Sequence, residues 1–321
     1  MLSSAAGPDR ATPGLIVKQN EPLSRHTRFG IGGPARRWVE CQTEDALSHA
    51  LSGCDAIVIG GGTNLVVCDD GVENDVVRYT AARIEVSGTR VFVEAGADLQ
   101  ALVDTTIAAG LKGLETMTGI PGSVGGAVYG NAGAYGHSIC ERIISVRFLE
   151  DGLPRTFSNA ECEFQYRESS FKRNKQRTIV SAELQLDPGD SGELRAGADR
   201  IRAIRDAKYP PEMKCAGSIF KNLILSELAD EVRNRVPERV VREGKVPSAW
   251  FLEEVGAKGM RNGGIRVADY HANLIYNEGG GNAGELKQVI DELKTRVQDR
   301  FGLRLEEEVQ YVGFNGMGPP R

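Results

Sequence analysis

Two glycine-rich segments constrain this chain more than any other feature. Gly60-Gly61-Gly62-Thr63-Asn64 breaks the compact apolar run Ala56–Ile59, and Thr118–Ala127 fits four glycines, one proline and three small residues into ten positions. Glycine makes up 39 of 321 residues, against a usual share of about 7%. That excess means tight turns or close approaches of backbone to ligand, where a Cβ would intrude.

The first segment has two readings. Its amides can converge on an anion as a nest, or the triplet is simply a tight turn. It is not a Walker loop, because no Gly-Lys-Ser/Thr follows. Nor is it a Rossmann fingerprint, because Leu65-Val66-Val67 continues apolar and no helix opens there. The second segment is expected to form no regular element, yet it is apolar and uncharged, unlike a solvated loop. With Asn131-Ala132-Gly133-Ala134-Tyr135-Gly136 it suits backbone contact with a large flat or diphosphate-bearing ligand. The alternative is a buried crossover between sheets. Two such loops in one domain favour the ligand.

The surrounding pattern is β-rich up to about residue 190. Val91–Ala95, Ile143–Leu149 and Thr178–Leu186 read as strands, and Leu99–Ala109 as a helix stopped by Gly110. Pro188-Gly189-Asp190-Ser191-Gly192 is the best linker candidate. Beyond it, Leu194, Ile201 and Ile204 fall at helical spacing, as do Leu225, Leu228 and Val232. The clearest helix runs over 283–301, with Leu286, Val289, Ile290, Leu293, Val297 and Phe301 on one face, a capping-box start at Asn282 and Glu285, and Gly302 at its end.

Several function classes are disfavoured. A formal charge of -5 lacks the basic excess with which a protein wraps nucleic acid. No apolar stretch approaches a membrane span, and residues 1–14 lack the order of a signal peptide. Six scattered cysteines with no C-x-x-C pair fit free thiols in a reducing cytosol and no metal site. A cytoplasmic protein with no nucleic-acid or membrane partner, a monomer or a weak homo-oligomer, is expected.

Other candidates are weaker when read singly. Tyr166-Arg167 can stack on a ring and clamp a carboxylate, or lie solvated on the surface. Ser218, in Gly217-Ser218-Ile219-Phe220-Lys221-Asn222, can be a proton donor, a nucleophile or a helix cap. None of His26, His49, His137 and His271 is placed by sequence as its base. Leu305–Gly313 reads by default as a solvated edge.

In order along the chain, these motifs resemble one family over roughly residues 20 to 313. His26-Thr27-Arg28-Phe29-Gly30-Ile31-Gly32-Gly33-Pro34-Ala35 is similar to its N-terminal signature, Gly60–Val67 to its diphosphate loop and Thr118–Gly136 to its long flavin loop. Tyr166–Lys172, Gly217–Asn222, His271-Ala272-Asn273-Leu274-Ile275 and Leu305–Gly313 follow in family order. The family is the UDP-N-acetylenolpyruvoylglucosamine reductases. Arg167 and Ser218 lie 51 positions apart, which leaves no room for a further substrate-capping insertion, so the chain resembles the shorter type.

The resemblance implies an α+β fold. FAD-binding subdomains of the PCMH/vanillyl-alcohol-oxidase type would span 20–80 and 81–190, an α+β substrate-binding domain 191–313, and tails 1–19 and 314–321. It also implies NADPH as co-substrate and UDP-N-acetylglucosamine enolpyruvate as substrate, reduced to UDP-N-acetylmuramate in peptidoglycan synthesis. FAD contacts would come from Gly60, Gly61, Gly62, Thr63, Asn64 and Leu65, then from Thr118, Gly119, Ile120, Pro121, Gly122, Ser123, Gly125 and Gly126. The amides of Gly60–Asn64 and Gly122–Gly126 would meet the diphosphate. Flavin N5 would pass hydride to C3 of the enolpyruvyl group. Arg167 would then stabilise the charge developing towards the carboxylate, Ser218 would protonate C2, and Glu308 would orient or polarise the same end. Lys221 or Asn222 would support Ser218. Tyr166, Lys208, Lys221, Asn222 and His271 are the implied substrate contacts, with a solvated helix end as the alternative for Lys208. Leu223 and Gln310 depart from the family's usual Pro and Arg. An oxidase of the same fold, acting on an alcohol or lactone, is the competing enzyme.

Overall fold

A computed structural model describes residues 12–53 and 55–314. They form two compact units. One takes the chain up to Glu21, Ala35–Gly61 and Glu73–Ile204; the other takes Pro22–Pro34, Gly62–Val72 and the chain from Arg205 onward. The boundary therefore cuts the first glycine loop between Gly61 and Gly62.

In the first unit, a sheet of Leu15–Pro22, Pro34–Cys41, Val72–Tyr79 and Ile57–Ile59, in that spatial order, shares one core with a second sheet. The second sheet orders Leu153–Ser158, Ile143–Glu150, Arg177–Gln185, Arg90–Glu94 and Ile84–Ser87, all antiparallel. The expected strands and the helix Leu99–Ala108 are present, the helix N-capped by Asp98 and followed by Gly110 at φ +68°. Of the tail expected over residues 1–19, residues 1–11 lie outside the described residues, while Leu15–Pro22 is a strand. The tail expected over 314–321 lies, from residue 315, outside them as well.

The second unit is built on the antiparallel strands Lys214–Ser218, His271–Asn277, Ile265–Ala268 and Arg261–Asn262. The helix Ala283–Phe301 buries its whole apolar stripe in this unit's core, from Leu286 to Phe301. Its capping box is formed, and the Asp69 carboxylate adds two bonds from the Ala283 and Gly284 amides, at 2.9 and 3.1 Å. Negative charge at a helix N-terminus is stabilising. Leu65–Val67 pairs in parallel with Gln310–Val312.

Three readings need correction. Val124–Tyr129 is a short helix, N-capped by Ser123, so the second glycine segment does hold a regular element. The linker candidate is not a boundary: Pro188 pairs with Leu111, the helix Ser191–Lys208 starts at once, and the first unit continues to Ile204. Ile204 is 58% exposed, because that helix buries only Leu194 and Ala198. Leu225 and Val232 lie on two separate single turns, Leu225–Glu227 and Asp230–Arg233, with Leu228 between them, not on one helix. No described helix is long and apolar enough to cross a membrane.

Candidate active site

Each unit carries part of the predicted constellation. In the first, the two glycine segments touch. A Cβ on Gly60 would fall 2.7 Å from Ser123 Oγ, and one on Gly61 would fall 3.0 Å from Gly122 Cα. Two bare backbones thus lie side by side, with Gly60 and Gly126 exposed. A neutral cradle without side chains is what a dinucleotide's diphosphate requires, so these residues fit FAD.

The expectation that all amides of Gly122–Gly126 face the diphosphate is too broad. Val124 N–H donates to Ala97 O and Gly125 N–H to Ala95 O, both at 2.8 Å. Gly126 N–H donates to Ser123 Oγ at 3.3 Å. Gly119 N–H donates to Gln100 Oε1, and the buried Thr118 hydroxyl donates to Glu115 O. Thr118, Ile120 and Pro121 therefore shape the loop's backbone course, and the Thr118 hydroxyl is already committed.

Arg167 is docked on the same loop. Its Nη2 donates to Gly133 O at 2.9 Å, while Ser169 Oγ donates to Tyr129 O and Asn131 Nδ2 to Gln165 O. Arg167 itself has φ +58°, held by Lys172 Nζ donating to its carbonyl at 2.8 Å. A non-glycine residue held in the left-handed region is strain that the surroundings must enforce. The guanidinium carbon lies 5.3 Å from the centre of the Tyr166 ring, so these two predicted residues stack.

The second unit brings Ser218 and Glu308 together. Ser218 ends the strand Lys214–Ser218 after Gly217, whose φ of +80° turns the chain. Ile219 O then accepts from Glu308 N at 2.7 Å, and Asn64 Nδ2 donates to Glu308 O at 2.8 Å. Asn64, expected to contact FAD, thus also braces the Glu308 backbone. Thr63 and Leu65 flank it, Leu65 opening the strand that pairs with Gln310.

The supports expected for Ser218 are occupied elsewhere. Lys221 Nζ pairs with Glu306, and Asn222 Oδ1 accepts from Ser248 N. Ser218 Oγ instead meets the Tyr209 hydroxyl at 3.4 Å. Lys208 closes the helix Ser191–Lys208, its ammonium 4.9 Å from the Tyr209 ring centre.

A residue with no assigned role from the sequence organises this region. Asn273, 2% exposed, accepts on Oδ1 from the amides of Ile219 and Phe220, and donates to Phe220 O and Ser248 Oγ. Its signal was an amide side chain inside the apolar run Ala272–Ile275. A buried amide of that kind needs hydrogen-bond partners.

Burial, with the Lys208 charge second, pushes His271 down to about 4. Its Nδ1 faces the Asn273 amide at 3.1 Å, so the ring is a neutral contact rather than a phosphate-binding cation. Because the folded value lies below the ordinary 6.5, the unfolded chain binds the extra proton first, and stability falls as pH drops from 6.5 towards 4. We expect His271→Gln to remove about 1–2 kcal/mol of that acid loss, after discounting for a ring that is only partly buried. Unfolding midpoints of the two proteins, compared at neutral pH and near pH 4, check this. An unchanged difference would refute it.

Comparison with known proteins finds relatives over nearly the whole chain. Residues 209–312 match the model of the UDP-N-acetylenolpyruvoylglucosamine reductase C-terminal domain, and residues 35–152 match a FAD-binding domain. The chain is 58% identical to the UDP-N-acetylenolpyruvoylglucosamine reductase of Solibacter usitatus, covering 94% of this chain and 98% of that one. Its counterpart from Bacillus subtilis is 33% identical, covering 93% and 95%. The solved structure of the Thermus caldophilus reductase superposes with a TM-score of 0.75 at 28% identity, covering 93% of this chain and 98% of that one.

Proposed function

We infer the work of the individual residues from one premise: the chain belongs to the UDP-N-acetylenolpyruvoylglucosamine reductase family. It is an FAD-dependent oxidoreductase that uses NADPH to reduce UDP-N-acetylglucosamine enolpyruvate to UDP-N-acetylmuramate in peptidoglycan synthesis. The oxidase reading is not favoured. When bound, the flavin carries two electrons from NADPH and supplies them as hydride to the enolpyruvyl double bond.

The chain's own residues do the rest. We assign the diphosphate to the backbone N–H groups of Gly60, Gly61, Gly122 and Ser123, since those of Val124, Gly125 and Gly126 are engaged internally. FAD binding is proposed for 20–80 and 81–190 and substrate binding for 191–313, a division by function that crosses the compact units, the first of which runs on to Ile204. Addition at C3 leaves carbanion character at C2 that spreads into the carboxylate. Arg167, with a fixed guanidinium, stabilises that charge without having to reorganise. Ser218 Oγ–H gives its proton to C2, and Glu308 orients the same end of the substrate. The observation that carries this assignment is the bond from Glu308 N–H to Ile219 O, which ties the proposed donor strand to the proposed carboxylate. Tyr166, Lys208, Lys221, Asn222 and His271 are assigned to the sugar nucleotide. A cytoplasmic site of action is proposed, with Cys41, Cys68, Cys140, Cys162 and Cys215 as free thiols.

The test is NADPH consumption by FAD-loaded protein without oxygen, with and without the enolpyruvyl sugar nucleotide. Consumption that requires the sugar supports the reading; consumption that requires oxygen instead would overturn it. Arg167→Lys should lower kcat/KM for the sugar about 100-fold, because a point charge cannot reproduce the planar fork. The rate at which NADPH bleaches the flavin should not change. Steady-state and anaerobic rapid-mixing kinetics separate the two, and equal loss in both would deny Arg167 its role.

A further inference from the structure

A serine that gives up its proton must be recharged, and its alkoxide is too strong a base to wait for solvent. The group standing at Ser218 Oγ is the Tyr209 hydroxyl, at 3.4 Å, a gap that a formed O–H···O bond closes to about 2.8 Å. Such contacts commonly tighten only when substrate is bound. Tyr209 is held in place from its backbone: its N–H donates to Arg205 O at 2.6 Å, and the adjacent Lys208 O accepts from Tyr270 Oη at 2.9 Å.

The charges around this ring are uneven. The Lys208 ammonium lies 4.9 Å and the Arg205 guanidinium 5.7 Å from the ring centre. The His271 ring, at 6.3 Å, is neutral. Two cations and a neutral imidazole thus flank the ring that carries this hydroxyl.

We propose that Tyr209 is a second proton donor in the reaction, relaying its hydroxyl proton to Ser218 as Ser218 protonates C2. The proposal rests on Ser218 being the donor. As the C2–H bond forms, the Ser218 O–H bond breaks; as the Tyr209 O–H bond breaks, a new O–H bond forms at Ser218. The phenolate left behind belongs to a ring flanked by Lys208 and Arg205, and water returns its proton after product leaves. No electrons change hands in this step.

The test compares Tyr209→Phe with wild type and with Ser218→Ala, all loaded with FAD. Phenylalanine keeps the ring and its packing and removes only the hydroxyl. The expected results are unchanged flavin reduction by NADPH, unchanged calorimetric affinity of the oxidised protein for the enolpyruvyl sugar, and reoxidation by the sugar slowed about 10- to 100-fold. In mixtures of H2O and D2O, the reoxidation rate should be bowed for wild type, with two protons in flight, and linear for Tyr209→Phe. A wild-type rate with a bowed profile in Tyr209→Phe would overturn the relay. So would weakened sugar affinity with the bowed profile retained, which would make Tyr209 a substrate contact. A Ser218→Ala protein that reoxidises normally would sink the donor assignment itself. An inactive Ser218→Ala beside a normal Tyr209→Phe would sink the relay alone.

Discussion

Ser218→Ala protein should accept electrons from NADPH at the wild-type rate and then fail to pass them on. Reoxidation by the enolpyruvyl sugar should slow by about 10²–10⁴, or about 3–5 kcal/mol of barrier, the range expected for loss of a positioned general acid. The fold should not register the change. The turn is fixed by Gly217 at φ +80° and by the Asn273 amide gripping Ile219 and Phe220, none of which involves the Ser218 hydroxyl. The orphaned Tyr209 hydroxyl is only half-buried, so water can replace its partner. Thermal stability should therefore stay within about 0.5 kcal/mol of wild type, as for substitutions away from buried features. Anaerobic rapid mixing, first with NADPH and then with the sugar, resolves the two halves. Should both fall together, Ser218 is structural and the donor lies elsewhere.

What the sequence revealed follows the range of the forces involved. The helix Ala283–Phe301 was readable to its ends because its stripe, capping box and terminal Gly302 are all local. The helix Val124–Tyr129 was hidden because glycine propensity argues against it. It exists because Ser123 caps it and Val124, Ala127 and Val128 are buried in the core. Pro188 reads as a breaker, yet on a two-residue strand opposite Leu111 it costs little. Within the site, residue identities were legible and partnerships were not. The sequence put Lys221 and Asn222 nearest to Ser218, but the chain leaving the helix Ser191–Lys208 brings Tyr209, nine residues upstream, there. Asn64 and Glu308 are 244 residues apart, and only the parallel pairing of Leu65–Val67 with Gln310–Val312 makes them neighbours.

Close backbone approach makes Gly62→Ala the most damaging small substitution we expect. Gly62 is buried with φ +66°, and a Cβ there would fall 1.7 Å from His26 O. Because Cβ has no rotamer, only backbone movement relieves that overlap. Arg28 N–H donates to Gly62 O at 3.1 Å, so moving Gly62 away from His26 breaks the bond that holds the two segments together. Moving the loop the other way shifts Asn64 and with it the Glu308 backbone. Gly280 supplies the control: at φ +72° it carries the same conformational strain, but nothing lies within 4 Å of its Cβ position. Gly280→Ala should cost about 1 kcal/mol, the left-handed penalty alone. Gly62→Ala should cost more than about 4 kcal/mol, a size reserved for a packing or backbone conflict. Urea unfolding of both variants, with flavin content measured on the same samples, tests the difference. Equal costs would mean that the His26 carbonyl yields freely, and that close backbone approach is not why glycine stands at the third position of this loop.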